Sequence, residues 1–234
     1  MRQFKGQVQM WLGGMGVVLL LGMVCLGSSA PELLIHTDPH DFLLKESDLS
    51  GLGSYSIPSH ESYAISNDMI LYLLGDPGGA ERLSITGRVN GWRAHYVADG
   101  AGGPRHITEI VTQYGSARGA RKNLDRYLLA VVDPANWKPL DTTLNLGDAE
   151  VVEMRRETYA SGETRVSLAV NFTYRNIGVR LEGVGAEGEV RLEDLNALAR
   201  VVLARLGAVE AESGPVPAPT PGFEAPEEGR MIYR

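Results

Sequence analysis

Between Val166 and Leu206 the hydrophobic period changes once, from two to about three and a half, and this constrains the fold more than any other stretch. From Val166 to Tyr174 the residues Val166, Leu168, Val170, Phe172 and Tyr174 alternate with Ser167, Ala169, Asn171 and Thr173. Such alternation predicts a strand with one buried face and one wet face. Arg175-Asn176 reverses the chain, because Asn tolerates the left-handed backbone that tight hairpins need. Ile177, Val179 and Leu181 return on the same face, and glycines 183, 185 and 188 are expected to end the strand. Leu192, Leu195, Ala199, Val202 and Leu206 then step by three and four, which is one face of a helix. Strand, turn, strand and helix predict an α+β domain: a mainly antiparallel sheet with helices packed on one face.

The same reading extends upstream. Asp41 to Ser59 gives a short helical turn and a loop, and Asn67 to Leu74 a short helix ended by Asp76-Pro77-Gly78-Gly79. Leu83 to Ala98 predicts the first long strand, with Trp92, Ala94 and Tyr96 on one face and Arg93 and His95 on the other. Gly87 and Gly91 mark a bulge or a close backbone approach. Asp99 to Pro104 is a hairpin loop and His106 to Tyr114 the return strand. A phosphate cradle needs a helix directly behind its glycines, and here a strand follows. Ser116 caps a helix with the stripe Ala117, Ala120, Leu124, Tyr127, Leu128 and Val131. Its outer side carries Arg118, Arg121, Lys122 and Arg126, a basic surface for an acidic partner or simply a solvated face. Trp137 reads as a core-edge side chain. Ala149 to Tyr159 is a third strand, whose Glu150, Glu153, Arg155, Arg156 and Glu157 suit ion pairs across an open sheet face. The predicted buried face is Trp92, Tyr96, Leu168, Val170, Phe172, Ile177, Val179 and Leu181, covered by helix stripes at 120–131 and 192–206.

The N-terminus has a different character. Two basic residues, Arg2 and Lys5, precede an uncharged run from Gly6 to Pro31 that is apolar from Trp11 to Leu26 and ends in Gly27-Ser28-Ser29-Ala30. A basic start, apolar middle and small-residue end is the export pattern. Three fates stay open: a cleaved signal, a retained membrane anchor, or lipidation at Cys25. The predicted organisation is a signal or anchor over 1–30, a linker over 31–41, the exported domain over 42–208 and a Pro-rich disordered tail over 209–234. Cys25 is the one cysteine, so no internal disulfide forms. The net charge of -7 becomes two units more negative without Arg2 and Lys5, which argues against nucleic acid as a partner.

His36, Asp38 and His40 would share one side of an extended segment, but their spacing matches no known ligand pattern, and a solvated linker is the simpler reading. His95 and His106 flank one hairpin loop, with Arg93 and Glu109 close in sequence. His95 and His106 are the candidate ligand or partner residues, together with Arg118, Arg121 and Lys122, although a satisfied, partly exposed strand pair is the simpler reading of the two histidines. No nucleophile elbow, paired-histidine metal motif or nucleotide loop is present, so the expectation is a protein that is not an enzyme, with no catalytic residues, no cofactor and no metal.

Asp48-Leu49, the segment Gly87 to Trp92, Tyr174-Arg175-Asn176 and Leu195 to Ala199 resemble blocks found in an uncharacterised family of exported bacterial α+β proteins. The element order over Phe42 to Leu206 is similar to extracytoplasmic sensor domains of bacterial kinases and, more distantly, to the PsbP-like sandwich. The resemblance implies a structural scaffold and assigns no catalytic residue. The expected function is a membrane-tethered or secreted non-catalytic binding or sensor-like module outside the cytoplasmic membrane. An accessory subunit of a membrane complex is the alternative, and an exported hydrolase using His95 or His106 the remaining one. The expected contacts are the membrane, through the N-terminal segment, and a protein partner.

Overall fold

The computed structural model describes residues 31–58, 60–74, 78–100, 102–124 and 137–218. Cys25, the leader and most of the Pro-rich tail lie outside the described residues. In chain order the elements are β1 (Leu33–Leu34), two 3-10 turns (Pro39–Phe42 and Glu46–Leu49), β2 (Tyr55–Ser56), β3 (Tyr63–Ala64), α1 (Asn67–Leu74) and α2 (Gly78–Thr86). There follow β4 (Arg88–Ala98), β5 (His106–Tyr114), α3 (Ala117–Lys122), β6 (Lys138–Pro139) and β7 (Ala149–Thr158). The last are β8 (Thr164–Tyr174), β9 (Ile177–Ala186), α4 (Leu192–Ala208) and β10 (Glu212–Ser213).

Eight strands form one antiparallel sheet in the order β2-β4-β5-β9-β8-β7-β6, with β3 also on β4. The fold is α+β, as the alternation predicts. Leu195, Leu198, Ala199, Val202 and Leu206 of α4 pack on Leu168, Val170, Phe172, Ile177, Val179 and Leu181. Tyr96, Ile107 and Val111 extend that face, and Ile35, Phe42, Leu44 and Leu49 cover it beside α4. Each large apolar side chain so buried stabilises the fold by about 1.5–3 kcal/mol. No helix among the described residues is long and apolar enough to cross a membrane.

Five local features differ from the sequence reading. Residues 83–86 belong to α2, not to the first strand. Gly87, at φ 60, ends that helix, its N–H donating to the Leu83 carbonyl, and β4 starts only at Arg88. Gly183 and Gly185 lie inside β9. A Cβ at Gly183 would stand 3.1–3.3 Å from Val190, Leu195 and Pro104, so the glycine makes room for the crossing chain. In the β8–β9 turn Arg175, not Asn176, takes the left-handed backbone, at φ 53. Asn176 is instead fully buried and accepts from Ile35 N–H while donating to the carbonyls of Ile35 and Tyr114.

The other two concern coverage. Residues 31–41 are built into the body: Leu34 and Ile35 are buried, and β1 pairs with β10. Nor is the second face of β8 wet, since Ser167, Ala169, Asn171 and Thr173 are all buried. Polar side chains of neighbouring strands, the Trp137 ring and α3, which packs against β5, β8 and β9, share that face. Tyr127, Leu128 and Val131 of the predicted stripe lie outside the described residues.

Candidate polar site on the second sheet face

Strand register brings together side chains that are far apart in sequence. On the face opposite α4, one row runs His95, Thr108, Glu182, Ala169 and Glu153 across five strands. The next row is Arg93, Ile110, Arg180, Asn171 and Val151. The row on the other side holds His106 beside Val184, with Ser167 and Arg155 beyond. The charged members are mostly half-buried, and Glu153 is buried.

His95 is the centre of one end. Its Nδ1 lies 3.1 Å from Thr108 Oγ1, and its Nε2 lies 3.2 Å from His106 Nδ1 and 3.3 Å from Glu61 Oε2. Burial pushes both imidazoles below their usual range; at His95 the neighbours His106 and Arg93 add to this while Glu61 opposes it. At His106, Arg165 adds to burial, and Glu61 again opposes. Both rings are therefore neutral at neutral pH, and one ring donates its N–H to the other. Among the described residues no group of three or more His, Cys, Asp or Glu side chains is arranged to hold a metal ion.

Arg180 is the centre of the other end. It donates to Asn171 Oδ1 at 3.0 Å and to Glu182 Oε2 at 2.9 Å, and lies 3.7 Å from Glu153. Its guanidinium packs 4.8 Å from the buried Trp137 ring, and that of Arg155 packs 5.3 Å from it. The charges thus alternate along the face and neutralise one another locally.

Of the predicted site residues, the structure joins His95 and His106 to each other, with Arg93 on the same face. Glu109 lies on the opposite face, paired with Ala94 and Leu181, because it is an odd number of residues from His106 along one strand. Arg118 and Arg121 are exposed on α3, while Lys122 donates to the Ile85 carbonyl. They follow the far end of β5, about 27 Å along the strand from His106. Cys25 lies outside the described residues. His36 meets Glu212 at 3.3 Å, whereas the His40 ring lies tilted against Trp92 with centroids 4.6 Å apart, so the two histidines serve separate contacts. Glu61, Arg180 and Glu182 escape sequence reading; the one signal for the last two was their alternation with Val179 and Leu181.

A hollow of about 120 Å³ lies between Leu52, Gly53, Ser54 and Tyr55 on one side and Ala98, Asp99, Gly100 and Gly103 on the other. Both Asp99 carboxylate oxygens there are taken by Ser54 and Ser56. Its volume is well below the roughly 300–1,000 Å³ of small-molecule sites.

No family model matches this chain, and no curated protein does. Among solved structures, the extracellular domain of PknH from Mycobacterium tuberculosis is similar, with 11% identity and a TM-score of 0.47. The match covers 75% of this chain and 98% of that one. A likeness this distant says nothing about ligand or activity.

Proposed function

We propose that the chain is a non-catalytic, sensor-like binding module outside the cytoplasmic membrane, carried there by its N-terminal leader. It engages a polar ligand or partner protein through the sheet face centred on His95, His106, Arg180 and Glu182. The carrying observation is that face: five strands present neutral imidazoles and mutually balanced charges in a half-buried row. Because its charges are already paired with one another, covering such a surface costs less than covering isolated charges. The test uses the full chain in detergent micelles and amide chemical shifts recorded against pooled polar metabolites and candidate peptides. Shifts clustering on His95, Thr108, His106, Arg180 and Glu182, and lost in His95→Ala/His106→Ala, support the reading. Steady turnover of any substrate overturns it.

Thr108, His95 and Glu61 do line up as nucleophile, base and acid, which favours a hydrolase as the second reading. Against it, Thr108 lies mid-strand in β5, between β4 and β9. Its neighbouring N–H groups belong to the ladders and offer no free pair to an oxyanion. Retention of a screened hydrolytic activity in the double histidine variant would dismiss it. The accessory-subunit reading rests on the exposed Arg118 and Arg121. It fails if Arg118→Glu/Arg121→Glu leaves co-purification from solubilised membranes unchanged.

A further inference from the structure

Glu109 is fully buried on the core side of the sheet. Its Oε2 lies 2.8 Å from Leu44 N and 3.0 Å from Tyr96 Oη, and its Oε1 has no hydrogen-bond partner. Tyr96 Oη also lies 2.8 Å from the Leu44 carbonyl oxygen. A phenol carries one proton. Two acceptors, the Leu44 carbonyl and the Glu109 carboxyl, therefore compete for it. If the carboxyl is ionised, the phenol turns to the stronger, charged acceptor and the Leu44 carbonyl loses its donor. If the carboxyl is protonated, Glu109 donates to Tyr96 Oη, Tyr96 donates to the Leu44 carbonyl, and Leu44 N–H donates back to Glu109. The ring then closes with every polar atom of Leu44 satisfied.

The charged groups facing this ring come from two elements. Asp48, in the second 3-10 turn, and Arg205, in α4, pair at 2.6 Å, and Arg205 also donates to the Leu43 carbonyl at 2.8 Å. Because Arg205 is already engaged by Asp48, it neutralises Glu109 only weakly. Leu181, across from Glu109 in β9, is apolar, and Ala94, across in β4, adds no charge.

We propose that Glu109, Tyr96 and Leu44 form a one-proton latch: the protonated carboxyl seats residues 39–49 on the sheet, and its ionisation loosens them. Burial pushes the carboxyl up to about 7, opposed by the Leu44 N–H, the Tyr96 hydroxyl and Arg205. A carboxyl raised in the folded state favours the protonated fold. Its stabilisation is whole below the unfolded value of 4.5, and is lost as pH rises toward about 7. Asp48 is shifted the other way, so it acts only at lower pH and does not mimic the effect.

The test is hydrogen exchange of the full chain in micelles across that interval, corrected for intrinsic rates. Protection of amides 43–49 is expected to fall about tenfold or more, then level. Glu109→Gln, neutral at every pH, is expected to show a flat profile. A flat or rising wild-type profile overturns the latch, as does an unchanged fall in Glu109→Gln. If that variant does not fold, Tyr96→Phe is the second arm. Losing the phenol removes the carboxylate's side-chain donor, so the fall must end at higher pH; an unmoved end point overturns the proposal.

Discussion

Asn176 is a fully buried polar side chain that ties together segments far apart in sequence. It satisfies three backbone groups on two separated segments, all out of water. Asn176→Ala should cost about 2–4 kcal/mol, read as a lower urea midpoint with little change in slope, because the Ile35 N–H and the Tyr114 carbonyl lose this partner at about 1–3 kcal/mol each, while the Ile35 carbonyl keeps Gln113. Sequence reading identified the turn but gave Asn176 the wrong duty. A turn residue is recognised by its backbone preference, whereas its side-chain partners 62 and 141 residues away leave no local trace. Glu109 hid in the same manner: an acid in an alternating strand reads as solvent-facing until the element covering it is known.

At the scale of elements, the strands of the Val166–Ala186 hairpin and the register of α4 were legible because their periods are long and regular. The end of β9 was not. Glycine weakens strands in general, but Gly183 persists in β9 because Val190, Leu195 and Pro104 press against its bare face. Gly183→Ala should therefore lower the melting temperature, at about 1–2 kcal/mol of overpacking. The Glu46–Leu49 turn is fastened to α4 by Asp48 and Arg205. Burial raises the Asp48 carboxyl, but the Lys45 N–H and Arg205 outweigh it and hold it below 3.8. That contribution is present above 3.8 and lost as pH falls below it. Asp48→Asn should flatten the acid limb of a pH–stability curve measured by chemical denaturation.

For the molecule as a whole, the sequence shows only pieces of the polar face, the His95–His106 pair and the charged third strand; their union with Arg180 and Glu182 exists only once five strands align and charges from β4, β7 and β9 meet. The N-terminal boundary was misplaced for a related reason. Leu33-Leu34-Ile35 is apolar but too short to show a period, and the burial of Ile35 depends on Asn176 and Gln113. A shortened chain starting at Phe42 should melt well below one starting at Pro31, whereas removal of residues 215–234 should leave calorimetric melting unchanged.

Leu33 lies directly across from Ser213, and Leu34 across from Glu212. The entrance and exit of the folded body are thus about one strand spacing apart, roughly 5 Å. Reopening the chain in the exposed β-turn at 159–163 and bridging 33 to 213 with a short linker should give a circular permutant of unchanged topology. The covalent order of the strands is, in this respect, incidental to the architecture they build.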